Sequence, residues 1–275
     1  MENSKIHNLI IRALSGAVYV GLIVGALLLG AEWFSALMVV FIALAVIELQ
    51  KLLATRSPIN AGVRVTDLLW GLFISSTVFC VDINEFNMAL VCAALAVAYI
   101  PMRLVLATLD KEGAPVASVL YSALTMMYVV LPLSMLSLAG AFSTTTVLIT
   151  FILIWVNDTG AYLSGITMGR HKMCERLSPK KTWEGFCGGF LLCVIAGCVS
   201  AWIIGERSAA QLAMWGLYAA VVSIVGTYGD LFESLIKRTL GVKDSGHLIP
   251  GHGGILDRID SILAVAPFAL LMAIL

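Results

Sequence analysis

Between Gly229 and Asp260 the chain reads GDLFESLIKRTLGVKDSGHLIPGHGGILDRID, the densest collection of charge in a sequence that is only 12% charged. Asp230, Ser234, Lys237 and Arg238 stand at i, i+4, i+7 and i+8, which places them on one face of a helix. Gly241 is a natural helix stop. Lys243 and Asp244 lead into a loop with Gly246, Pro250, Gly251, Gly253 and Gly254 around His252. Glycines there permit positive φ and the close backbone approach that a nest of N–H groups needs to hold phosphate oxygens. Asp257 and Asp260, with Arg258 between them, are spaced to share one side at the start of a further helix. Carboxylate oxygens, lysines, an arginine and a glycine loop together suit the binding of Mg²⁺ and a polyphosphate. The carboxylates would hold the metal, and the cations would neutralise charge building on a leaving group. His252 is expected to contact phosphate or fix the loop. A zinc site from His247 and His252 finds no supporting Cys or ligand spacing. A Walker P-loop and a G-x-S-x-G nucleophile motif are both absent.

Two upstream stretches could complete such a site. Ser178-Pro179-Lys180-Lys181-Thr182 puts two hydroxyls and two cations in a short loop, and Trp183-Glu184-Gly185 opens the next helix. A helix N-terminus beside lysines and hydroxyls favours an anion through its free N–H groups and its dipole. The plainer reading is a basic loop lying on anionic headgroups. The order of these residues favours a ligand site. In WVNDTGAYLSG, Asn157 and Asp158 lie beside Gly160, Ala161, Ser164 and Gly165. An Asp within an apolar span is a functional candidate, with a hydrogen bond between helices as the simpler role.

The elements that must carry these residues are apolar. The 275 residues are 60% hydrophobic, with a mean hydropathy of +0.98. The apolar residues fall in long blocks without period-two alternation, which indicates membrane-spanning helices and excludes a β-barrel. Nine segments can be drawn, near 13–30, 33–50, 67–81, 87–106, 116–138, 145–167, 185–204, 211–229 and 259–275. The third is short for a span of about 20 residues. With the N-terminus cytoplasmic, every Lys and Arg except Arg207 falls on the cytoplasmic side, as the positive-inside rule requires. The expected fold is therefore all-α and polytopic, with about nine transmembrane helices, the N-terminus inside and the C-terminus outside. Lys5 and Arg12 precede the first run without a cleavage site, so that run reads as a retained helix.

Residues 1–140 read as a scaffold and 141–275 as the catalytic region. In the scaffold, Glu48 reads as an interfacial residue, Arg103 as snorkelling to the headgroups, and Pro132 as a kink. The six cysteines form no CxxC pair and read as small apolar filler. A net charge of zero gives no indication of a nucleic-acid partner.

The stretch from Ser234 to Asp260 closely resembles the signature of phosphatidate cytidylyltransferases, the CDP-diacylglycerol synthases. That signature has Ser, two residues, Lys-Arg, four residues, Lys-Asp, then His-Gly-Gly, an apolar pair, Asp-Arg and a final Asp. Asp230 in GDLFES, SPKKTWEG and NDTGAY also resemble family elements, so the resemblance covers about 145–275. It implies a Mg²⁺-dependent reaction, with a second cation admitted, in which CTP and phosphatidate give CDP-diacylglycerol and pyrophosphate. It further implies Asp230 and Asp257 as first metal ligands, with Asp260 and Asp244 next. Lys237, Arg238 and Lys243 would bind phosphates, and Ser178, Lys180, Lys181 and Thr182 would contact the nucleotide or the lipid phosphate. The family also implies a homodimer. Compact loops and the lack of a transit peptide lead to an expectation of a bacterial plasma membrane. Two rivals make different demands. A CDP-alcohol phosphotransferase would need an Asp-Gly, Ala-Arg pattern that is missing here, and an ion-coupled transporter would need Asp158, Asp230 and Asp257 near mid-membrane.

Overall fold

The computed structural model describes residues 2–56, 59–83, 85–109, 114–246 and 253–275, with side chains from Ala13 onward except that of Asp82. Each apolar run becomes helix, because a helix satisfies its own backbone where no water can. The order is α1 (Glu2–Leu29), α2 (Ala31–Leu53), α3 (Ala61–Asp82), α4 (Phe86–Val97), α5 (Tyr99–Leu109) and α6 (Pro115–Thr125). A π-helical turn (Met126–Val130), α7 (Leu131–Phe142) and α8 (Thr144–Met168) follow, then a hairpin of β1 (Lys172–Cys174) and β2 (Ser178–Thr182). The chain closes with α9 (Trp183–Ile203), α10 (Ala209–Thr239) and α11 (Leu256–Ile274).

Among the described residues, seven helical stretches are long and apolar enough to cross a membrane: Ala31–Leu53, Ala61–Val81, Phe86–Leu109, Pro115–Phe142, Thr144–Met168, Trp183–Ile203 and Ala209–Thr239. The chain is thus an all-α polytopic membrane protein. The described apolar part of α1, Ala13–Leu29, is shorter, and α11 opens on Asp257, Arg258 and Asp260. The third run gains its length at its start, where Asn60 caps α3 by accepting from the Gly62 amide at 2.9 Å. At Pro132 the departure from regular helix is the π turn just before it. The Pro132 ring has no N–H for the carbonyl of Tyr128, which loosens the ladder at that point.

The interior is organised on α2, whose Phe34, Met38, Ile42 and Leu49 are fully buried together with Leu133 and Leu136 of α7 and Leu256, Ile259 and Leu263 of α11. On the outside, Leu90, Val91 and Val97 of α4 and Leu191, Ile195, Val199 and Trp202 of α9 are exposed, as lipid-facing residues should be. Small residues let helices approach where lipid competes equally for apolar contact. A Cβ on Gly189 of α9 would lie 2.6 Å from the Asn157 carbonyl of α8.

Two charges expected at the interface are buried instead. Arg103 is 4% exposed and donates to Ser122 Oγ at 2.9 Å and Ser118 Oγ at 2.5 Å. Ser122 in turn donates to Asp67 (2.7 Å), which also accepts from Gln50 and Tyr99, each at 2.8 Å. A buried charge is tolerated when neighbouring dipoles and a counter-charge satisfy it, and this network ties α2, α3, α5 and α6 together. Glu48 is the second, at 7% exposure, and its partners lie at the candidate site.

Candidate active site

The site forms where α10 touches α11. A Cβ on Gly229 would sit 2.8 Å from Ala264 Cβ and 2.9 Å from the Asp260 carbonyl oxygen, so only glycine allows this approach. Contact at Gly229 brings the next residue, Asp230, beside Asp260. Glu233, nearly one turn on, joins them, and ligand oxygens of Asp230, Glu233 and Asp260 all lie within 4.8 Å of one another. Glu233 is 3% exposed and its Oε1 has no hydrogen-bond donor among the described residues.

Two ammonium groups reach this cluster from different elements. Lys237, on the same helix, pairs with Glu233 and with Asp257 Oδ1 at 2.6 Å. Lys181 comes from β2, pairing with Asp230 Oδ2 at 2.8 Å and donating to the Thr227 carbonyl at 3.3 Å. The expected SPKKT loop is a strand, paired antiparallel to β1 with Lys172 opposite Thr182 and Cys174 opposite Ser178. Side chains alternate on a strand, so Lys181 turns inward while Lys180 is exposed. Ser178 is half-buried in the strand. Thr182 is buried and caps α9, its hydroxyl accepting from the Gly185 amide at 3.1 Å, so one of the N–H groups expected to face an anion is already taken. Glu184 fastens the hairpin, accepting from the Arg170 amide at 3.0 Å and the His171 amide at 3.2 Å and meeting His171 Nδ1 at 2.5 Å.

The remaining expected residues divide. Asp257 Oδ2 accepts from the Gly254 amide at 2.8 Å and the Ser245 amide at 3.3 Å. Its carboxylate therefore holds Gly254, Ser245 and Lys237 together, while the three acids whose oxygens converge are Asp230, Asp260 and, from outside the expected ligand set, Glu233. Gly253 has a φ of 83°, the left-handed conformation foreseen for the glycine loop. Ser234 is buried on α10. Arg238 turns away from the acids, donating to the Leu177 carbonyl at 3.5 Å and the Val242 carbonyl at 3.2 Å. Lys243 and Asp244 are exposed after α10, outside the triad. Arg258 is exposed, and its carbonyl accepts from Tyr19 of α1 at 3.0 Å. His252 and His247 lie outside the described residues.

Asp158 is brought in by a cavity of about 290 Å³ that it lines with Asp257, Arg258, Asp260, Trp155 and Tyr19. A second cavity, about 840 Å³, is apolar and is lined by Tyr128, Trp183, Tyr228, Gly229, Phe232 and Leu263. Sequence reasoning missed Glu233, Glu184 and Glu48. The signal for Glu233 was present: it stands three residues after Asp230 and four before Lys237, on the face already identified.

Five carboxylates (Asp158, Asp230, Glu233, Asp257, Asp260) thus gather around two ammonium groups, Lys181 and Lys237. Like charges this close repel unless a cation is shared among them. Three hard oxygen donors at this spacing, one with an orphaned buried oxygen, suit a divalent ion such as Mg²⁺. Comparison with known proteins agrees in kind. The family model described as "Cytidylyltransferase family" matches residues 10–275. The phosphatidate cytidylyltransferase of Brucella suis is 32% identical over 256 residues, 90% of this chain and 89% of that protein. The enzymes of that name from Staphylococcus haemolyticus and Haemophilus influenzae are 46% identical over 121 residues and 42% identical over 123 residues. These last two matches span 46% and 42% of the relatives' own lengths, and 44% and 43% of this chain. The match over nearly the whole chain, on a helical scaffold that gathers these acids and lysines, shows that this protein belongs to the cytidylyltransferase family.

Proposed function

We propose that the chain transfers the cytidylyl group of CTP to the phosphate of phosphatidate, giving CDP-diacylglycerol and releasing pyrophosphate. One observation carries the reading: an acid–lysine cluster suited to a metal and polyphosphate adjoins both an acid-lined cavity and a larger apolar one. Asp158, Asp257 and Asp260 line the first, and Gly229, next to Asp230, lines the second. An amphipathic substrate with a phosphate head and acyl tails, meeting a nucleotide, needs that juxtaposition. An ion pathway does not, and it gives no role to the hairpin lysine.

In this reading Asp230, Glu233 and Asp260 hold Mg²⁺, with room in the carboxylate set for a second cation. A bound Mg²⁺ supplies charge neutralisation on the phosphate oxygens that its ligands alone cannot give. Lys181 and Lys237 bind the phosphate oxygens of the nucleotide and offset charge on the departing pyrophosphate. Asp257 holds Lys237, Gly254 and Ser245 in register. The lipid phosphate is already an anionic nucleophile, so no protein group needs to form a covalent bond, and catalysis is positioning and charge neutralisation. The exposed Lys180, Lys243 and Arg258 face arriving anions. The protein acts as a homodimer in the bacterial plasma membrane, with the charged ends of α10 and α11 on the cytoplasmic side where CTP is available. The bacterial relatives and the clustering of cations on one side support that placement.

Purified protein reconstituted in liposomes with phosphatidate and CTP tests the proposal. CDP-diacylglycerol is expected with Mg²⁺ and not after chelation. No product in detergent or in liposomes would overturn it.

A further inference from the structure

We infer that Glu48, on the second helix of the N-terminal half, is a positioning residue that sets Ser245, the start of α11 and Asp257 for the reaction. Its carboxylate lies between the two described ends of the glycine loop. Oε2 accepts from the Ile255 amide at 2.9 Å and Oε1 from the Leu256 amide at 3.1 Å, and the Ser245 hydroxyl donates to Oε1 as well. Helix α11 has no side-chain cap of its own at Ile255. Free N–H groups at a helix start need acceptors, and the positive end of the dipole favours an anion. Glu48 supplies both from another part of the chain.

The glycines flanking the loop carry a second, independent mark of the same contact. A Cβ on Gly254 would overlap Glu48 Oε1, and one on Gly246 would fall 2.9 Å from Oε2. Those two glycines therefore make room for Glu48, whereas the sequence alone suggested a cradle for phosphate. Asp257 Oδ2 takes the neighbouring amides of Gly254 and Ser245 and passes the constraint to Lys237 through Oδ1. Glu48 thus acts on the chemistry through Asp257 and touches none of the carboxylate triad.

Glu48→Gln is the informative change. Each carboxylate oxygen accepts from a backbone amide, Oε2 from Ile255 and Oε1 from Leu256, so an amide NH₂ placed at either oxygen position meets an N–H that cannot accept. The matched control is Gln50→Ala, two residues on, equally buried but bonded to Asp67. The turnover arm rests on the cytidylyltransferase reading; amide hydrogen exchange in the full-length protein does not. Groups that orient a site typically change activity about 10–100-fold. Glu48→Gln is expected to lower kcat by about that factor, with KM for CTP little changed and Tm no lower than in Gln50→Ala. Exchange at Ile255 and Leu256 should accelerate while α9 stays protected. Where Glu48→Gln yields no folded protein, Ser245→Ala, which removes one donor, is expected to show the same pattern in smaller measure. Exchange at Ile255 and Leu256 equal to wild type, or a loss of kcat in Gln50→Ala as large as in the Glu48 or Ser245 variant, would overturn the inference. Wild-type protein without turnover would count against the proposed reaction and leave the exchange result to judge Glu48.

Discussion

Adding a single methyl group at Gly229 should separate activity from stability. A Cβ there would sit 2.8 Å from Ala264 Cβ and 2.9 Å from the Asp260 carbonyl. Carbon atoms settle at about 3.5–4.0 Å, so α10 and α11 must part by roughly 1 Å. That displacement falls on the residues on either side of the junction, Asp230 and Asp260, which share the carboxylate cluster. Misplacement by about 1 Å can cost 100-fold in rate, or about 2.7 kcal/mol of barrier. Stability changes less: overpacking costs about 1–3 kcal/mol, and replacing a helical glycine by alanine returns about 1 kcal/mol. Gly226→Ala, one turn earlier, is the control, because its Cβ would lie 3.6 Å from Val265 Cγ2 and 3.7 Å from Ser261 Cβ, ordinary contact distances. The assay is CDP-diacylglycerol formation in liposomes together with Tm in detergent. Gly229→Ala should lose about 100-fold in kcat with a modest fall in Tm, and Gly226→Ala should keep near-normal activity. Equal activity in the two variants would refute the claim that helix approach at Gly229 builds the site.

Other expectations follow from the same geometry. Lys181→Met, which removes the partner of Asp230, should lower kcat about 100-fold or more, while Lys180→Met should cost far less; steady-state kinetics on both decides, and reversed sensitivities would contradict the inward placement of Lys181. Glu233→Gln should weaken divalent-ion binding, read from Mn²⁺ binding by spin resonance, because it removes charge from the triad; unchanged binding would remove Glu233 from the metal site. Asp257→Asn should abolish turnover in a protein that still inserts and folds, since Lys237 loses one of its two charged partners and the Gly254 amide its charged acceptor; near-normal turnover would contradict that role.

The helices and the core of the site were legible because they depend on local pattern. Apolar blocks define the spans, and i, i+3 and i+4 spacing places Asp230, Lys237, Asp257 and Asp260 on neighbouring faces. Glu48 and Arg103 were misread for a common reason: a charge near the end of an apolar run looks the same whether it faces headgroups or a buried partner. Which it does depends on residues far away in the chain, the Ile255 and Leu256 amides for Glu48 and Ser118 and Ser122 for Arg103. SPKKT carries a proline, a serine and two lysines and so suggested a loop; its pairing with Lys172–Cys174 fixes it as a strand and selects Lys181 over Lys180. Glu233 was hidden by emphasis, standing on the right face in a motif whose aspartate drew attention.

The central claim is that the cytidylyl group, and not the terminal phosphate, moves to the lipid. The most direct test is to follow CTP labelled at the α-phosphorus in one sample and at the γ-phosphorus in another, with phosphatidate liposomes and Mg²⁺. The α label should enter the lipid phase as CDP-diacylglycerol while the γ label stays in water as pyrophosphate. Label from the γ position in the lipid, or no transfer of the α label, would contradict the account.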